Sequence, residues 1–142
     1  MCIRDSEWPG RKNALPGAKF GAAGLRKIVG VPDRALTSTA LKPIGLSTER
    51  IAFLCGLFAH SGIDIIKDDH GLANHRFHPF ADRVLACQKA VREANAATGR
   101  HSIYVPNLTG TPSVVLEQLR FAQDEGVGAV MVAPMLLSLI HI

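Results

Sequence analysis

The sequence predicts an α/β fold built on parallel strands, because strand-like and helix-like segments alternate along it. Strand-like runs begin near residues 35, 63, 102 and 128, and one helical segment separates each run from the next. Parallel neighbours connected in this way require right-handed crossovers. The content of 47% hydrophobic and 20% charged residues is typical of a globular domain and excludes a mainly disordered chain.

The first unit combines a predicted strand at 35–42, ALTSTALK, with the helix that follows it. Ser47 is a favourable N-cap, and Glu49 suits the first turn because it complements the helix dipole. The helix is expected to end near Gly62, and three apolar residues at helical spacing predict its buried face. These residues are Ile51, Leu54 and Phe58. Ahead of the strand, GAAGLRKIVGV predicts a short helix.

The second unit begins with GIDIIKDDHG at 62–71. Its first part, 63–66, is continuously apolar, as in a strand that is covered on both faces. A polar loop follows, and then a helix is predicted from about residue 79 to residue 98, where Gly99 ends it. The inward-facing residues of this helix are predicted to be Phe80, Val84, Cys87 and Val91.

The third unit starts with a predicted strand at 102–105. Thr111 is expected to cap the next helix and Pro112 to occupy its first position, where the missing N–H has no cost. This helix is expected to end before Gly126. The apolar run AVMVA at 129–133 predicts the fourth strand.

Two folds accommodate this order of elements, an open doubly wound sheet and an eight-stranded (β/α)8, or TIM, barrel. The first predicts a glycine-rich phosphate-binding turn after the first strand, and KPIGLS does not supply one. The barrel predicts reactive groups at the C-terminal ends of several strands. Lys42, the cluster at 67–70 and Asn107 occupy such positions. We therefore expect the first half of a TIM barrel, about four βα units truncated at both ends.

Charged side chains follow the second strand directly in the segment KDDHG. Because alternate strand residues face opposite sides, Lys67 and Asp69 are expected to share one direction, and Asp68 to support them or to lie at the surface. An isolated buried charge is costly, and a cation such as Mg²⁺ offsets this cost by binding one or two carboxylates. Two alternatives stay open: a solvated loop with an internal ion pair, and a lysine nucleophile that forms a Schiff base.

Composition and charge restrict the partners. The net charge of +4 is spread along the chain, so no nucleic-acid partner is expected, while a basic balance suits phosphorylated or carboxylated small molecules. No apolar run approaches the roughly 18 residues of a spanning helix, so no membrane partner is expected. Cys55 and Cys87 are expected to be buried, reduced thiols of a cytoplasmic protein. Three histidines lie close together in the sequence, but their spacing is not typical of zinc ligands. They are His70, His75 and His78.

The two ends are predicted to be foreign to the domain. MCIRDS at 1–6 can be encoded by atg tgt ata aga gac ag, and the reverse complement of this DNA, shifted in frame and one base longer, encodes LSLIHI at 137–142. One DNA element read from both strands explains both ends, as in transposon-based sequencing libraries, so both are set aside. The expected division is a lead-in at 7–34 and the barrel half at 35–136.

Four motifs, in order and with compatible spacing, carry a resemblance to a known family. They are ALKPIGLS at 40–47, GIDIIKDDH at 62–70, PFADRV at 79–84, and ATG at 97–99 followed by YVPNLTG. Together they resemble the large subunit of ribulose-bisphosphate carboxylase/oxygenase (RuBisCO), and more closely its RuBisCO-like (form IV) relatives, which do not fix CO2. The resemblance covers nearly all of 7–136 and implies a longer parent, with an N-terminal domain and a second barrel half.

The resemblance implies a role for each matching residue. Lys42 would transfer protons beside the substrate, and Lys67 would be carbamylated by CO2 to give an oxygen ligand for Mg²⁺. Asp69 would bind the metal directly, and Asn107 loosely matches a substrate-contacting asparagine. The implied chemistry is metal-assisted enolisation of a sugar-derived small molecule, in a parent that is a homodimer.

Two departures from the family pattern argue against carboxylation. His70 stands where the carboxylase has a glutamate ligand, and its nitrogen could bind metal without supplying the same negative charge. Only Ile44 lies between Pro43 and Gly45, where the carboxylase carries an additional lysine. We therefore expect an isomerase, a decarboxylase or a related lyase. The alternatives are a genuine carboxylase, a Schiff-base aldolase, and a fragment that is inactive and prone to aggregation on its own.

Overall fold

The computed structural model describes residues 20–132. The expectations for 1–6, for 137–142 and for most of the lead-in segment lie outside the described residues. The described elements, in chain order, are α1 (Gly21–Ile28), β1 (Ser38–Leu41), α2 (Thr48–Ser61), β2 (Ile65–Asp68), α3 (Phe80–Thr98), β3 (Ile103–Val105), β4 (Asn107–Leu108), α4 (Pro112–Asp124) and β5 (Met131–Val132).

The strands are parallel, which confirms the predicted α/β class. Strands β1, β2 and β3 form one sheet in that order, and β4 pairs with β5 in a second, two-stranded sheet. In the first sheet Ala40 is opposite Lys67, which is in turn opposite Val105. Within residues 20–132 the strands do not close into a barrel.

The strand boundaries differ from the predicted ones. β1 begins at residue 38 instead of 35, and β2 covers 65–68 instead of 63–66, so Lys67 and Asp68 belong to the strand itself. The reason is pairing, because the first pair of the β1–β2 ladder joins Ser38 to Ile65. The two-residue strand β4 is not predicted by the sequence, and β5 begins at residue 131 instead of 129.

The local signals at the helix ends are largely confirmed. The Ser47 hydroxyl accepts a hydrogen bond from the Arg50 amide at 3.3 Å, which satisfies one free N–H at the start of α2. Gly62 ends α2 in the left-handed region, with φ of 91°, and Gly99 ends α3 in the same way. Thr111 precedes Pro112 as predicted, although its side chain makes no capping hydrogen bond.

The hydrophobic core lies between one face of the β1–β2–β3 sheet and the helices α2 and α3. Leu41, Ile66 and Tyr104 contribute one buried side chain from each strand. The helices contribute Ile51, Cys55, Ala59, Val84, Cys87 and Val91, all fully or almost fully buried. Cys55 and Cys87 are free thiols, as expected. The contact with Cys87, together with burial, raises the pKa of Cys55, so this thiol is not a reactive nucleophile.

The opposite face of the same sheet is partly exposed. Alternate residues of the strands, Ile65 and Lys67 in β2 and Ile103 and Val105 in β3, are only half-buried. Since the register aligns Lys67 with Ala40 and Val105, all three side chains lie on this face. We call it the open face. In a closed barrel it would be the inner surface.

An ion pair ties the N-terminal ends of β1 and β2 together. The Arg34 guanidinium donates to both oxygens of Asp64 at 2.7 Å, and the Thr37 amide donates to the same carboxylate at 2.8 Å. The hydrogen bonds from Arg34 lower the pKa of Asp64 well below its usual value. This cluster lies at the edge of the sheet away from the KDDHG segment and fixes how the two strands start.

Candidate functional site

Lys42 and Asp69 meet where β1 and β2 end. Leu41 is opposite Asp68 in the β1–β2 ladder, so the residue that follows each strand lies at the same edge of the sheet. The Lys42 Nζ lies 3.4 Å from the Asp69 carboxylate. The sequence placed both residues at this edge but did not predict that they pair with each other.

The Asp69 carboxylate is held in its charged form. Partial burial opposes ionisation, but the Lys42 ammonium and the backbone N–H groups of Gly71 and His70 outweigh it, so the pKa of Asp69 is lowered. The side chain of Asp69 is 22% exposed. Asp69 therefore presents an anionic oxygen at a position that a cation can reach.

Lys67 lies on the open face, two register positions before this pair. Its Nζ donates to the backbone carbonyl of Asp68 at 3.3 Å. The pairing of Lys67 with Asp69 that the sequence suggested is replaced by the ion pair between Asp69 and Lys42. Lys67 is consequently half-buried without a carboxylate partner among the described ion pairs.

Asp68 is fully buried on the helix-facing side, so the alternative that it lies at the surface is wrong. Its carboxylate accepts hydrogen bonds from Arg83 Nε at 3.0 Å, from the Tyr104 hydroxyl at 2.8 Å and from the backbone N–H of Asn107 at 3.0 Å. Burial raises the pKa of Asp68, while Arg83 and these donors oppose the shift. Asp68 and Lys67 thus face opposite sides of the sheet.

Arg83 is the residue near the site that sequence reasoning missed. It lies in α3, and its side chain is fully buried against Asp68. Its remaining N–H groups donate to three carbonyls of the β2–α3 loop, those of Ala73, His78 and Leu72, at 3.0–3.5 Å. The only sequence signal is its presence in the PFADRV motif, because a charged residue in an amphipathic helix is usually exposed.

Asn107 begins β4 and is also fully buried. Its side-chain nitrogen donates to the carbonyls of His70, at 3.0 Å, and Leu72, at 3.3 Å, which orients the amide towards the β2–α3 loop. Its Oδ1 makes no hydrogen bond within the described part of the chain. The proposed contact between Asn107 and substrate stays a prediction. The His70 side chain is exposed, and its role as a ligand is likewise untested.

The loops after β1 and β2 are in close contact. A Cβ atom on Gly71 would meet the tip of the Ile44 side chain, so the two loops are in contact at this point. The β2–α3 loop is also tied to α3, since Asn74 Oδ1 accepts a hydrogen bond from the Phe80 amide at 2.9 Å. Lys42 and Asp69 therefore stand on loops that support each other.

The donor set is compatible with Mg²⁺ on one condition. Among residues 20–132 no three His, Cys, Asp or Glu side chains gather in a way that could hold a metal. Mg²⁺ needs few protein ligands, typically one or two carboxylates with water and substrate oxygens completing the shell. Asp69 supplies one carboxylate. The set fits if Lys67, on the adjacent face, supplies a second anionic oxygen group as a carbamate.

Parallel strands that alternate with helices and carry lysine and aspartate side chains at their C-terminal edge are the arrangement found in part of an α/β barrel domain. Residues 21–139 match the family described as ribulose bisphosphate carboxylase large chain, catalytic domain. The chain belongs to this family, as the resemblance had implied.

Its relatives include RuBisCO-like proteins. The crystal structure of a RuBisCO-like protein from Rhodopseudomonas palustris superposes with a TM-score of 0.86 and 50% identity, over 89% of this chain and 36% of that chain. The 5-methylthioribulose-1-phosphate isomerase of Rhodospirillum rubrum is 46% identical over 85% of this chain and 33% of its own length. The 2,3-diketo-5-methylthiopentyl-1-phosphate enolase of Geobacillus thermodenitrificans is 35% identical over 84% and 28%.

The present chain spans about a third of the length of these relatives. In the described residues, no helix combines the length and the apolar character that crossing a membrane requires.

Proposed function

We propose that this chain is the N-terminal barrel half of a Mg²⁺-dependent enzyme that enolises a phosphorylated, sugar-derived ketone, with isomerisation as the favoured net reaction. One observation carries the proposal: Lys42 and Asp69 form an ion pair at the C-terminal ends of two paired parallel strands, and Lys67 lies near the end of one of them. Such an edge is where TIM-barrel enzymes assemble their active sites.

Lys67, Asp69 and His70 are the residues that would hold the metal. The Lys67 ammonium would first lose one proton. The neutral amine would then attack CO2, so that a nitrogen–carbon bond forms, one carbon–oxygen π bond of CO2 breaks and a second proton leaves. A cationic side chain would thereby become an anionic oxygen ligand. Bound Mg²⁺ supplies positive charge that stabilises the oxygen anion of an enolised substrate.

Lys42 is the proposed proton-transfer group. Its ammonium is 64% exposed at the rim, so a substrate can reach it from solvent. Its ion pair with Asp69 holds it beside the proposed metal ligand. A positioned acid or base of this kind contributes typically 10²–10⁴-fold to the rate of a proton transfer.

The names of two relatives support the substrate class. Both describe methylthio-substituted five-carbon compounds with a 1-phosphate, one acted on by an isomerase and the other by an enolase. The isomerase shares the higher identity with this chain. His70 and the single residue Ile44 between Pro43 and Gly45 are the two features that favour these reactions over carboxylation. We further propose that the full-length protein is a cytoplasmic homodimer.

The test uses a full-length protein. In the chimera, residues 20–132 of this chain replace the aligned segment of the Rhodospirillum rubrum isomerase. We expect it to isomerise 5-methylthioribulose 1-phosphate, to lose activity in chelator and to regain it with Mg²⁺. The variant Lys67→Ala should be inactive, whereas Lys89→Ala, on the exposed side of α3, should match the parent chimera.

Undiminished turnover in chelator, or an active Lys67→Ala variant, would reject the proposal. Trapping with borohydride separates the Schiff-base alternative. A covalent adduct between a ketone substrate and Lys42 or Lys67 would show that the lysine acts as a nucleophile.

A further inference from the structure

Four buried polar residues lie directly beneath the proposed site, and the roles assigned above use only one of them. We call Asp68, Arg83, Tyr104 and Asn107 the buried cluster. Each is at most 1% exposed. They come from four different elements, β2, α3, β3 and β4, so the cluster joins the ends of three strands to the helix behind them.

Asp68 is the centre of the buried cluster. Its two oxygens accept three hydrogen bonds, from Arg83, from the Tyr104 hydroxyl and from the backbone N–H of Asn107, all at 2.8–3.0 Å. Asp68 stands between Lys67 and Asp69 in the sequence. Because successive residues of an extended chain point to opposite sides, fixing Asp68 towards the helices directs Lys67 to the open face and sets where the chain leaves the strand towards Asp69.

The other members of the buried cluster hold the loop that carries Asp69 and His70. Arg83 donates to the carbonyls of Ala73, His78 and Leu72, and Asn107 donates to those of His70 and Leu72. A loop of about ten residues is thereby fastened at both of its ends and in the middle. Hydrophobic packing alone has no directional preference of this kind.

The composition of the cluster also indicates a purpose other than stability. A buried ion pair is often no more stabilising than apolar side chains of similar volume, because both charges lose their hydration. What the charged pair adds is geometry, since the hydrogen bonds fix both the angle of Arg83 and the direction of Asp68.

We infer that the Asp68–Arg83 pair, with Tyr104 and Asn107, is a positioning device that sets the orientation of Lys67 and Asp69. The inference rests on the proposed function for its catalytic consequence. Asp68, Arg83 and Tyr104 are assigned no contact with substrate, and Asn107 acts in the cluster in addition to its predicted contact with substrate. The cluster acts through the backbone of β2 and of the β2–α3 loop.

The decisive variant is the double replacement Asp68→Leu with Arg83→Met in the full-length chimera. It removes both charges together, so no unpaired charge is left in the core. Tyr104→Phe is the milder companion, since it removes a single hydrogen bond to Asp68 and keeps the ring. The matched control is the double replacement Lys89→Met with Glu93→Leu, which deletes an exposed ion pair of the same helix.

Three quantities are compared: the thermal midpoint, kcat with KM, and the rate at which a trace acylating reagent labels Lys67 relative to Lys27, an exposed lysine of α1. The labelling rate is followed by mass spectrometry in metal-free protein and needs no catalysis. We expect the Asp68–Arg83 double variant to keep its cooperative unfolding, to lose at least ten-fold in kcat, and to change the relative labelling of Lys67 at least three-fold. Tyr104→Phe should shift both readouts in the same directions by a smaller factor. The control should leave all three quantities unchanged.

Unchanged kcat and unchanged Lys67 labelling in the folded double variant would overturn the inference. If the double variant does not fold, unchanged kcat and labelling in Tyr104→Phe would overturn it equally. Failure of the proposed function has a different signature. The parent chimera would then turn over without Mg²⁺, while the labelling of Lys67 would still report whether the buried cluster orients it.

Discussion

The Lys42 ammonium lies 3.4 Å from the Asp69 carboxylate and thereby connects the loops that follow two neighbouring strands. The lysine is 64% exposed, so solvent screens the pair and its contribution to stability is small. The importance of the pair is its location. It brings the proposed proton-transfer group and the proposed metal ligand to one point at the C-terminal edge of the sheet.

Replacement of Lys42 by Met in the chimera should lower kcat by about 10²-fold or more, because a positioned proton-transfer group is removed. Stability should be almost unchanged, since the ion pair is exposed. Steady-state kinetics and thermal unfolding check both points. Lys89→Met, which removes a lysine that is 77% exposed on α3, is the control. A Lys42→Met variant with the kcat of the control would exclude Lys42 from proton transfer.

Replacement of Asp69 by Asn should weaken Mg²⁺ activation without unfolding the protein. The substitution keeps the size of the side chain but removes the negative charge that Mg²⁺ prefers. We expect the Mg²⁺ concentration for half-maximal activity to rise at least ten-fold, measured by titrating metal into chelator-treated chimera. Asp124→Asn, at the exposed end of α4, should leave the titration unchanged. An Asp69→Asn titration that overlays the parent would contradict the assignment.

The ion pair between Arg34 and Asp64 predicts a pH dependence of stability. Arg34 lowers the pKa of Asp64 in the folded chain, so the folded state binds this proton less readily than the unfolded state. The stabilisation is therefore fully present above the ordinary pKa of an aspartate, about 4. It is lost as the pH falls below that value towards the lower folded pKa.

Asp64→Asn tests this dependence. At pH 7 the variant should unfold at a lower temperature than the parent chimera, because the charged partner of Arg34 is gone. The gap between the two should narrow as the pH is lowered below about 4. Thermal midpoints across this range measure the gap, and one that stays constant with pH would show that ionisation of Asp64 contributes nothing.

Gly62→Ala should destabilise the protein for two reasons. Gly62 has φ of 91°, in the left-handed region, where a Cβ costs about 1–2 kcal/mol. That Cβ would also meet the Arg100 guanidinium, whose Nη1 donates to the His60 carbonyl at the end of α2. Urea unfolding should show a loss of about this size. Gly128→Ala is the control, because a Cβ added there would meet no atom of the described residues within 4 Å and its φ is not in that region.

The parts of the fold that could be predicted from the sequence are those with local signals. Ser47, Gly62, Gly99 and Pro112 mark helix ends through their own backbone and hydrogen-bonding preferences, and all four do so in the structure. The alternation of strands and helices was likewise sufficient for the class. Strand limits were less accurate because they depend on the partner strand, as the pairing of Ser38 with Ile65 shows.

Features that depend on a partner elsewhere in the chain could not be predicted from local sequence. β4 has two residues and is defined only by its pairing with β5, so no period exists for the sequence to display. The burial of Arg83 requires a carboxylate 15 positions away that faces the same side of the sheet. The expected pairing of Lys67 with Asp69 was inferred from the alternation of side chains along a single strand. The observed partner of Asp69 comes from a different strand.

The tight approach of Gly71 to Ile44 has a consequence for how sequences of this family vary. With a side chain at position 71, the tip of Ile44, which is 48% exposed, would have to turn towards solvent. Relatives with Ala or Ser in place of Gly71 should therefore carry, in place of Ile44, either a shorter residue or one whose side chain turns outward. The covariation of this pair across an alignment would then record, in evolutionary terms, the contact between the loops that bear Lys42 and Asp69.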